Sequence, residues 1–575
     1  MDILIEKQSP NKIVQLSSDR WFADFGKDAY GRLEYEIEAD APTQVEFVIG
    51  EVLFNENAIE RNPGGFRCIK THVEKLPAGT SHGFMSIPKH RSVYSYPSCQ
   101  RSKVLTPEIA GGEIAPFRYA ELHGNVKSVR FTRHALFSPF DDNAAQFECS
   151  DANLNKVWEL CKYTMKATSA FGLYIDGERE RQCFEGDAYI NTLGAYCTGG
   201  GYDVARRTLD FLIQFYPIEI IEYRLLTTML VRNYFLYSGD TDIYKYWKEE
   251  LHKRLLPQFV SADGMIHFPK EIHNSDAALI KSLKLYYQYY DVFPDSVQIL
   301  IDWPRDERDN YQFGEICFVP QAFLYAAYRT MDELEPNCGY DRMAASLLDT
   351  INAVFRRDNG LFVDNSQGNH TAIHTALWAI AFGIAQPKDY PALHALIKSR
   401  GMACSPYGAQ FLLDALFMSG AEQTAIELMR SEEKRSWMNM IRRGSTISME
   451  AWDNEFKPNQ DWNHAWGAAP ANIIPRRLAG IRPIANGFTR FVVDPKPADL
   501  KEFAITHPTP HGAISLEYAD GKYSLTVPEG TEAVVAGKTL KAGKHDVTTA
   551  SRRRRTAVPK AKSQIWNEGS KPITL

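Results

Sequence analysis

Ser150-Asp151-Ala152-Asn153-Leu154-Asn155-Lys156-Val157-Trp158-Glu159-Leu160-Cys161-Lys162-Tyr163-Thr164-Met165 is where the chain changes its period. Leu154, Val157, Trp158, Cys161 and Met165 recur at i, i+3 and i+4, the rhythm of a helix with one buried stripe. Ser150 or Asp151 supplies the side-chain oxygen that caps its first turn. Before this stretch the period is two. Leu33, Tyr35 and Ile37 alternate with Glu34, Glu36 and Glu38, and Val45, Phe47 and Ile49 continue the pattern. Ala41-Pro42, Asn62-Pro63-Gly64-Gly65 and Gly111-Gly112 separate these runs. Residues 1–150 are therefore expected to form an N-terminal β-sandwich.

Helical periodicity then persists to about residue 484. Stretches near 153–171, 187–198, 202–215, 220–237, 241–255, 272–290, 315–334, 340–356, 371–384, 389–399, 406–419, 421–431 and 465–478 qualify, without βαβ alternation. So many helices in one domain, 151–484, predict an (α/α)6 barrel; an irregular helical bundle is the alternative. Strand character returns with Phe491-Val492-Val493. Ile514, Leu516 and Tyr518, then Asp520-Gly521, then Tyr523, Leu525 and Val527 read as a hairpin. Residues 485–550 are expected to form a C-terminal β-sandwich. The basic stretch 551–575, with Arg552-Arg553-Arg554-Arg555, is expected to be a flexible tail.

The 575 residues carry a net charge of -6, which argues against a nucleic-acid partner for the body of the chain. Aromatic content is 12%, which suits a cleft where rings stack on sugar faces and equally suits a large helical core. The nine cysteines show no CxxC spacing, so neither a disulfide framework nor a zinc site is expected. The first residues lack a signal-peptide pattern, and no apolar run reaches about 18 residues. These readings predict no membrane association, a cytoplasmic or periplasmic location, and a monomer or homodimer.

The chemistry concentrates in Asp176-Gly177-Glu178-Arg179-Glu180-Arg181-Gln182-Cys183-Phe184-Glu185-Gly186-Asp187. Five carboxylates within twelve residues run into the apolar segment Ala188-Tyr189-Ile190-Asn191-Thr192-Leu193. Crowded, half-desolvated carboxylates hold protons near neutral pH, as a general acid must. A second carboxylate, supplied from elsewhere in the helical domain, would complete a glycosidase pair. Glu450, in Ser448-Met449-Glu450-Ala451-Trp452-Asp453, is the best distant candidate. Asp461-Trp462-Asn463-His464-Ala465-Trp466-Gly467-Ala468 comes closely after it. A structural carboxylate paired with Arg442 or Arg443, and a hydrogen-bonded core histidine, are the plain readings of Glu450 and His464.

The acidic run resembles the motif of glycoside hydrolase family 78, the bacterial α-L-rhamnosidases, which reads roughly Asp-Cys-Pro-x-Arg-x-Glu-Arg-x-Gly-Trp-x-Gly-Asp. Glu180, seven residues before Asp187, has the spacing of the family's general acid. Glu450-Ala451-Trp452 is similar to the segment that holds its general base, and Asn463-His464 to the block whose His contacts the sugar. Asp24-Phe25-Gly26-Lys27 resembles a signature of its β-domain. Leu300-Ile301-Asp302-Trp303-Pro304 resembles a loop whose Trp lines the pocket. Here Gly177-Glu178 replaces Cys-Pro, Cys183-Phe184 replaces Gly-Trp, and Met449 replaces a Trp.

The resemblance implies a β-sandwich, an (α/α)6 barrel and a C-terminal β-sandwich. It implies an exo-acting, inverting hydrolase that removes terminal α-L-rhamnose from an oligosaccharide or glycoside. Glu180 would be the general acid, its pKa raised by Asp176 and Asp187, and Glu450 the general base. Asp176, Arg181, Asp187, Trp303, Trp452, Trp462 and His464 would bind the sugar. No cofactor and no metal are required. Glu178 and Glu185 remain rivals for the acid. A polysaccharide lyase using Arg179 and Arg181, and a non-catalytic sugar-binding protein, are the other readings.

Overall fold

The computed structural model describes residues 3–64, 67–90, 104–215, 220–267 and 299–548. The helix expected near 272–290 and the basic tail 551–575 lie outside these residues.

Eight N-terminal strands join one sheet, apart from which Leu53–Asn55 pairs with Ala58–Ile59; the sheet's spine is the strand Arg20–Ala39. Its first residues, 20–24, pair with Lys12–Ser17 and with Ala115–His123. Its later residues pair with Ser128–Phe137 and Gly79–Phe84. The register slips between Asp24 and Ala29. There Gly26 takes φ +82° and donates its N–H to Asp24 Oδ1 at 2.7 Å, a kink that a side chain would block by striking Asn11. Leu33, Tyr35, Ile37, Val45, Phe47, Ile49, Phe117, Leu122 and Phe131 form the sheet's main apolar cluster. The period-two pattern thus gives strands linked through one long bent strand around a shared apolar cluster.

The end of this segment also belongs elsewhere. Gln146–Cys149 pairs with Glu502–His507 and so forms an edge of the five-stranded C-terminal sheet. A four-stranded sheet, Ile481–Pro483, Arg490–Val493, Glu532–Val535 and Lys538–Leu540, lies beside it in the sequence. Strands Ile514–Ala519 and Lys522–Val527 form the expected hairpin, with Asp520 and Gly521 at φ 44° and 81°.

Between the sheets, two kinds of helix alternate. Glu185–Thr198, Ile221–Ser238, Phe318–Leu334, Ile373–Ala381 and Pro406–Met418 are buried almost all round, as is the broken segment 465–478. Ala152–Ala167, Tyr202–Phe215, Asp242–Arg254, Tyr340–Phe355, Tyr390–Arg400 and Glu422–Met429 alternate with them and leave one face to solvent. Asp151 caps the first of these, accepting the Leu154 N–H at 2.9 Å. Each buried helix packs on the next in chain order, and 465–478 returns to Glu185–Thr198. Trp437–Arg442, capped by Ser436, is a further short helix, too brief to show a period. No helix among the described residues is long and apolar enough to cross a membrane.

Candidate active site

The first turns of five buried helices meet at one place. Asp187 and Glu222 open two of them, and His374, Tyr407 and Trp466 open the others. Tyr407 stacks near Trp466 with ring centres 5.7 Å apart, and Asp187 Oδ1 meets His464 Nε2 at 2.7 Å. Helix N-termini carry partial positive charge, so this is where a protein can gather carboxylates at reduced cost.

The acidic run crosses that floor as a tight turn. Asp176 N–H donates to the Gln182 carbonyl at 2.7 Å, and the Gln182 N–H returns a bond to Asp176 Oδ1 at 2.9 Å. Gly177 is required in this turn, because a Cβ would lie 2.5 Å from Asp461 Oδ2. Asn463 fastens the turn to its surroundings: its Oδ1 accepts the Glu178 N–H at 2.8 Å and the Tyr30 hydroxyl at 2.9 Å, while its Nδ2 donates to Glu51 at 2.8 Å.

Arg179 organises the centre. Its Nη2 donates to Glu180 Oε1 at 2.8 Å and to Glu450 Oε1 at 2.9 Å. Its Nη1 donates to Glu450 Oε2 at 2.8 Å. One guanidinium therefore grips two carboxylates from distant segments, Arg179 and Glu450 standing 271 residues apart, and both acids are almost fully buried. Lys457 Nζ also pairs with Glu450 Oε1, and the Asp461 N–H donates to Glu450 Oε2 at 3.1 Å. Burial alone would raise Glu450, but Arg179, Lys457 and His464 outweigh it and hold this carboxyl far below the usual carboxylate range.

The neighbouring acids move the other way. Burial, reinforced by the charges of Glu180, Asp187 and Asp461, raises Asp176 well above its ordinary value. Burial raises Asp187 too, against the pull of His464. Asp461 is pushed up to about 7, first by burial and then by Glu450, with Arg179, His464 and Lys457 opposing. The site thus contains both a carboxylate held in its ionised form by cations and neighbouring acids whose pKa values burial raises.

Trp303 reaches this centre from the loop after residue 298. Lys457 Nζ lies 5.8 Å from its ring centre. Its N–H donates to Asp302 Oδ1 at 2.8 Å, and Asp302 Oδ2 accepts the Ser405 N–H at 2.9 Å and meets His374 Nε2 at 2.8 Å. Glu222 Oε1 accepts the N–H groups of Leu300 and Ile301, both at 3.0 Å. A buried acid on a helix first turn and another in the loop itself therefore fix where Trp303 stands.

Asp176, Glu180, Asp187, Trp303, Glu450 and His464 are brought together in this way, while Trp462 follows Asp461 in the chain and donates its Nε1–H to Asn454 Oδ1 at 3.3 Å. Two residues expected to bind sugar are committed elsewhere. Arg181, at φ 50°, donates to Glu178 at 2.9 and 3.0 Å, to Glu113 at 2.8 Å and to the Ile114 carbonyl at 2.8 Å, tying the turn to the N-terminal sheet. Trp452 is fully buried, packs edge-on against Trp437 and donates its N–H to the Cys404 carbonyl at 2.7 Å. The rivals for the acid are also engaged: Glu178 by Arg181 and His90, Glu185 by Arg254 at 2.7 Å.

Sequence reasoning missed Lys457 and Asp461 as site residues and gave Arg179 no part in holding the carboxylates. Only Asp461 had a visible signal, its place just before Trp462-Asn463-His464. Glu450, Asp461 and His464 offer atoms within 4.8 Å of one another, but Arg179 and Lys457 already hold both oxygens of Glu450, which makes this a poor metal seat.

Comparison with known proteins gives a consistent picture. A family model described as the bacterial alpha-L-rhamnosidase 6 hairpin glycosidase domain matches residues 142–215 and 277–478. The model of the bacterial alpha-L-rhamnosidase C-terminal domain matches residues 480–549. No curated protein matches by sequence. Among solved structures, the fold is similar to the GH78 rhamnosidase of Bacillus sp. GL1, with TM-score 0.67 and 17% identity, covering 91% of this chain and 54% of that one. It is similar to Streptomyces avermitilis α-L-rhamnosidase complexed with L-rhamnose, with TM-score 0.69 and 16% identity, covering 93% and 50%. The rhamnose-bound rhamnosidase of Klebsiella oxytoca gives TM-score 0.61 and 15% identity, covering 83% and 96%. The chain thus spans about half the length of the first two.

Proposed function

The chain belongs to the bacterial α-L-rhamnosidase family, and from that premise we propose that it is an exo-acting, inverting glycosidase that removes terminal α-L-rhamnose from an oligosaccharide or glycoside. Glu180 donates a proton to the glycosidic oxygen. Glu450, on the other side of the sugar, is the general base toward the attacking water. Asp176, Asp187, His464, Trp303 and Trp462 contact the sugar. The observation that carries this reading is the shared grip of Arg179 on Glu180 and Glu450, which brings two carboxylates from distant segments of the chain to one centre, as a glycosidase pair requires. The alternation of buried and half-exposed helices, and the return of the last buried one to the first, support an (α/α)6 barrel as the scaffold.

Hydrolysis of p-nitrophenyl α-L-rhamnoside within a panel of aryl glycosides tests the reading. Glu180→Gln and Glu450→Gln are each expected to lower kcat/KM by about 10²–10⁴-fold. Glu178→Gln and Glu185→Gln should keep the reaction. Proton NMR should show β-L-rhamnose as the first product. Full activity in Glu180→Gln, or the α-anomer first, rejects the assignment. Glu450 sits between two cations, so Glu450→Gln should also lower the melting temperature.

A further inference from the structure

The buried helices surround a second polar place. From Glu222, His374 and Tyr407 at the site it lies seven residues on, at Met229, Ala381 and Asp414, which is about 10 Å along the helices. Phe411 stacks on Tyr189 with ring centres 5.4 Å apart and stands 5.5 Å from Tyr407, so rings separate this place from the site. The cavity there measures about 40 Å³, room for about three waters or one small ion. Its polar lining is Tyr189, Arg232, Asn233, Asp414, Arg476 and Arg477.

That lining is rich in donors and poor in acceptors. Asp414 spends both oxygens on the protein: Oδ1 accepts Arg477 Nε at 2.5 Å and stands 3.5 Å from Arg476 Nη1, and Oδ2 accepts Gln410 Nε2 at 2.8 Å. Burial would raise Asp414, but Arg476 and Arg477 outweigh it and hold the carboxyl below its ordinary value. Arg476 Nη1 also donates to Asn472 Oδ1 at 2.8 Å. Among the described residues, no acceptor meets Nη1 or Nη2 of Arg477, Nε or Nη2 of Arg476, the Asn233 amide or the Tyr189 hydroxyl. The wider coil Ile474–Leu478 is what lets two successive arginines face one carboxylate. Arg232 has its own carboxylate, Glu333, at 2.9 Å. Asp414 therefore answers two guanidiniums, and one positive charge is left over. A buried charge without a counter-charge is costly.

We propose that this cavity is a binding site for one small monovalent anion, chloride being the natural occupant, held by Arg476 and Arg477 with the Asn233 amide and the Tyr189 hydroxyl. Water fits less well, because it must donate hydrogen bonds as well as accept them, and here donors outnumber acceptors. Burial keeps the Tyr189 hydroxyl protonated and able to donate. The anion joins Glu185–Thr198, Ile221–Ser238 and 465–478 through a residue of each, and so fastens the return of the last buried segment to the first. The site is independent of the hydrolase reading and stands if that reading falls.

Thermal melts of the full chain in sodium gluconate, chloride and bromide, at one ionic strength, test this. Protein dialysed free of halide should melt about 2–5 °C higher once chloride or bromide is saturating, along a saturable curve that gluconate does not reproduce. Arg476→Gln leaves Arg477 and Asp414 as a neutral pair. It should lose the halide dependence and melt no lower than the parent in gluconate. Crystals grown in bromide should show an anomalous scattering peak among Arg476, Arg477 and Asn233, which decides the matter even if Arg476→Gln does not fold. Equal melting in all three salts, a halide response retained by Arg476→Gln, or bromide crystals without that peak overturns the inference and leaves the cavity to water.

Discussion

Arg254 has no solvent exposure and meets Glu185, almost as deeply buried, at 2.7 Å. Its other donors reach the Thr227 hydroxyl at 2.9 Å and the Leu212 carbonyl at 2.7 Å, so it ties its own helix to three others. Burial raises Glu185 while Arg254 pulls it back. Breaking such a pair leaves a charge uncompensated in the interior. Arg254→Met is therefore expected to cost about 3–5 kcal/mol in urea unfolding. A carboxylate in the acidic run looks the same on paper whether it acts on substrate or braces a helix. Glu178 and Glu185 became rivals of Glu180 for that reason. In the structure each of the three has its own arginine: Arg179 for Glu180, Arg181 for Glu178 and Arg254, on a distant helix, for Glu185.

At the scale of elements, the loop that carries Trp303 is held by Glu222 in a helix first turn and by the partners of Asp302, together with the buried Ile299 and Ile301. Asp302→Ala would remove the anchor shared by Ser405, His374 and the Trp303 N–H. The expected outcome is a loss of about 10–100-fold in kcat/KM, mostly through KM, in steady-state kinetics on an aryl rhamnoside. The loop was legible only through the family resemblance of Leu300-Ile301-Asp302-Trp303-Pro304, and the helices through their apolar periodicity. The loop's anchors were not, since Glu222 looks like any acid near a helix start. The last buried helical stretch, 465–478, was read as one piece. Pro470 and Pro475 interrupt it, giving a short turn at Ala465–Ala468, then Pro470–Ile473, then the wider coil Ile474–Leu478.

For the whole molecule, the contact of N-terminal sheet and helices holds a titrating pair. Asp28 and Glu51 are both buried, Asp28 donating its N–H to Thr446 at 2.8 Å and Glu51 accepting from Asn463 at 2.8 Å. Burial pushes Asp28 from 3.8 up to about 6 and, with Asp28 close by, holds Glu51 well above its ordinary value. Between those values for Asp28 the folded chain binds more protons than the unfolded one. Its contribution to stability is therefore present at low pH and falls as pH rises through about 6. Thermal melts across this range should show a smaller decline in Asp28→Asn than in the parent. Glu113 has the opposite sign: Arg181 and Thr106 outweigh burial and bring it from 4.5 to about 2, so its contribution is present above 4.5 and is lost as pH falls toward about 2. The alternation of apolar residues announced the sheets but not which strands share an edge, because period two sets a face and says nothing of a neighbour. Gln146–Cys149 illustrates the cost of that silence. Its partner, Glu502–His507, lies far along the chain and is synthesised long afterwards. At ribosomal speeds of about 5–20 residues per second, that edge must wait tens of seconds on a nascent chain with its hydrogen bonds unmet. The C-terminal module is therefore not a detachable appendage: expressed without those four residues, it would present a bare, adhesive border to other copies of itself.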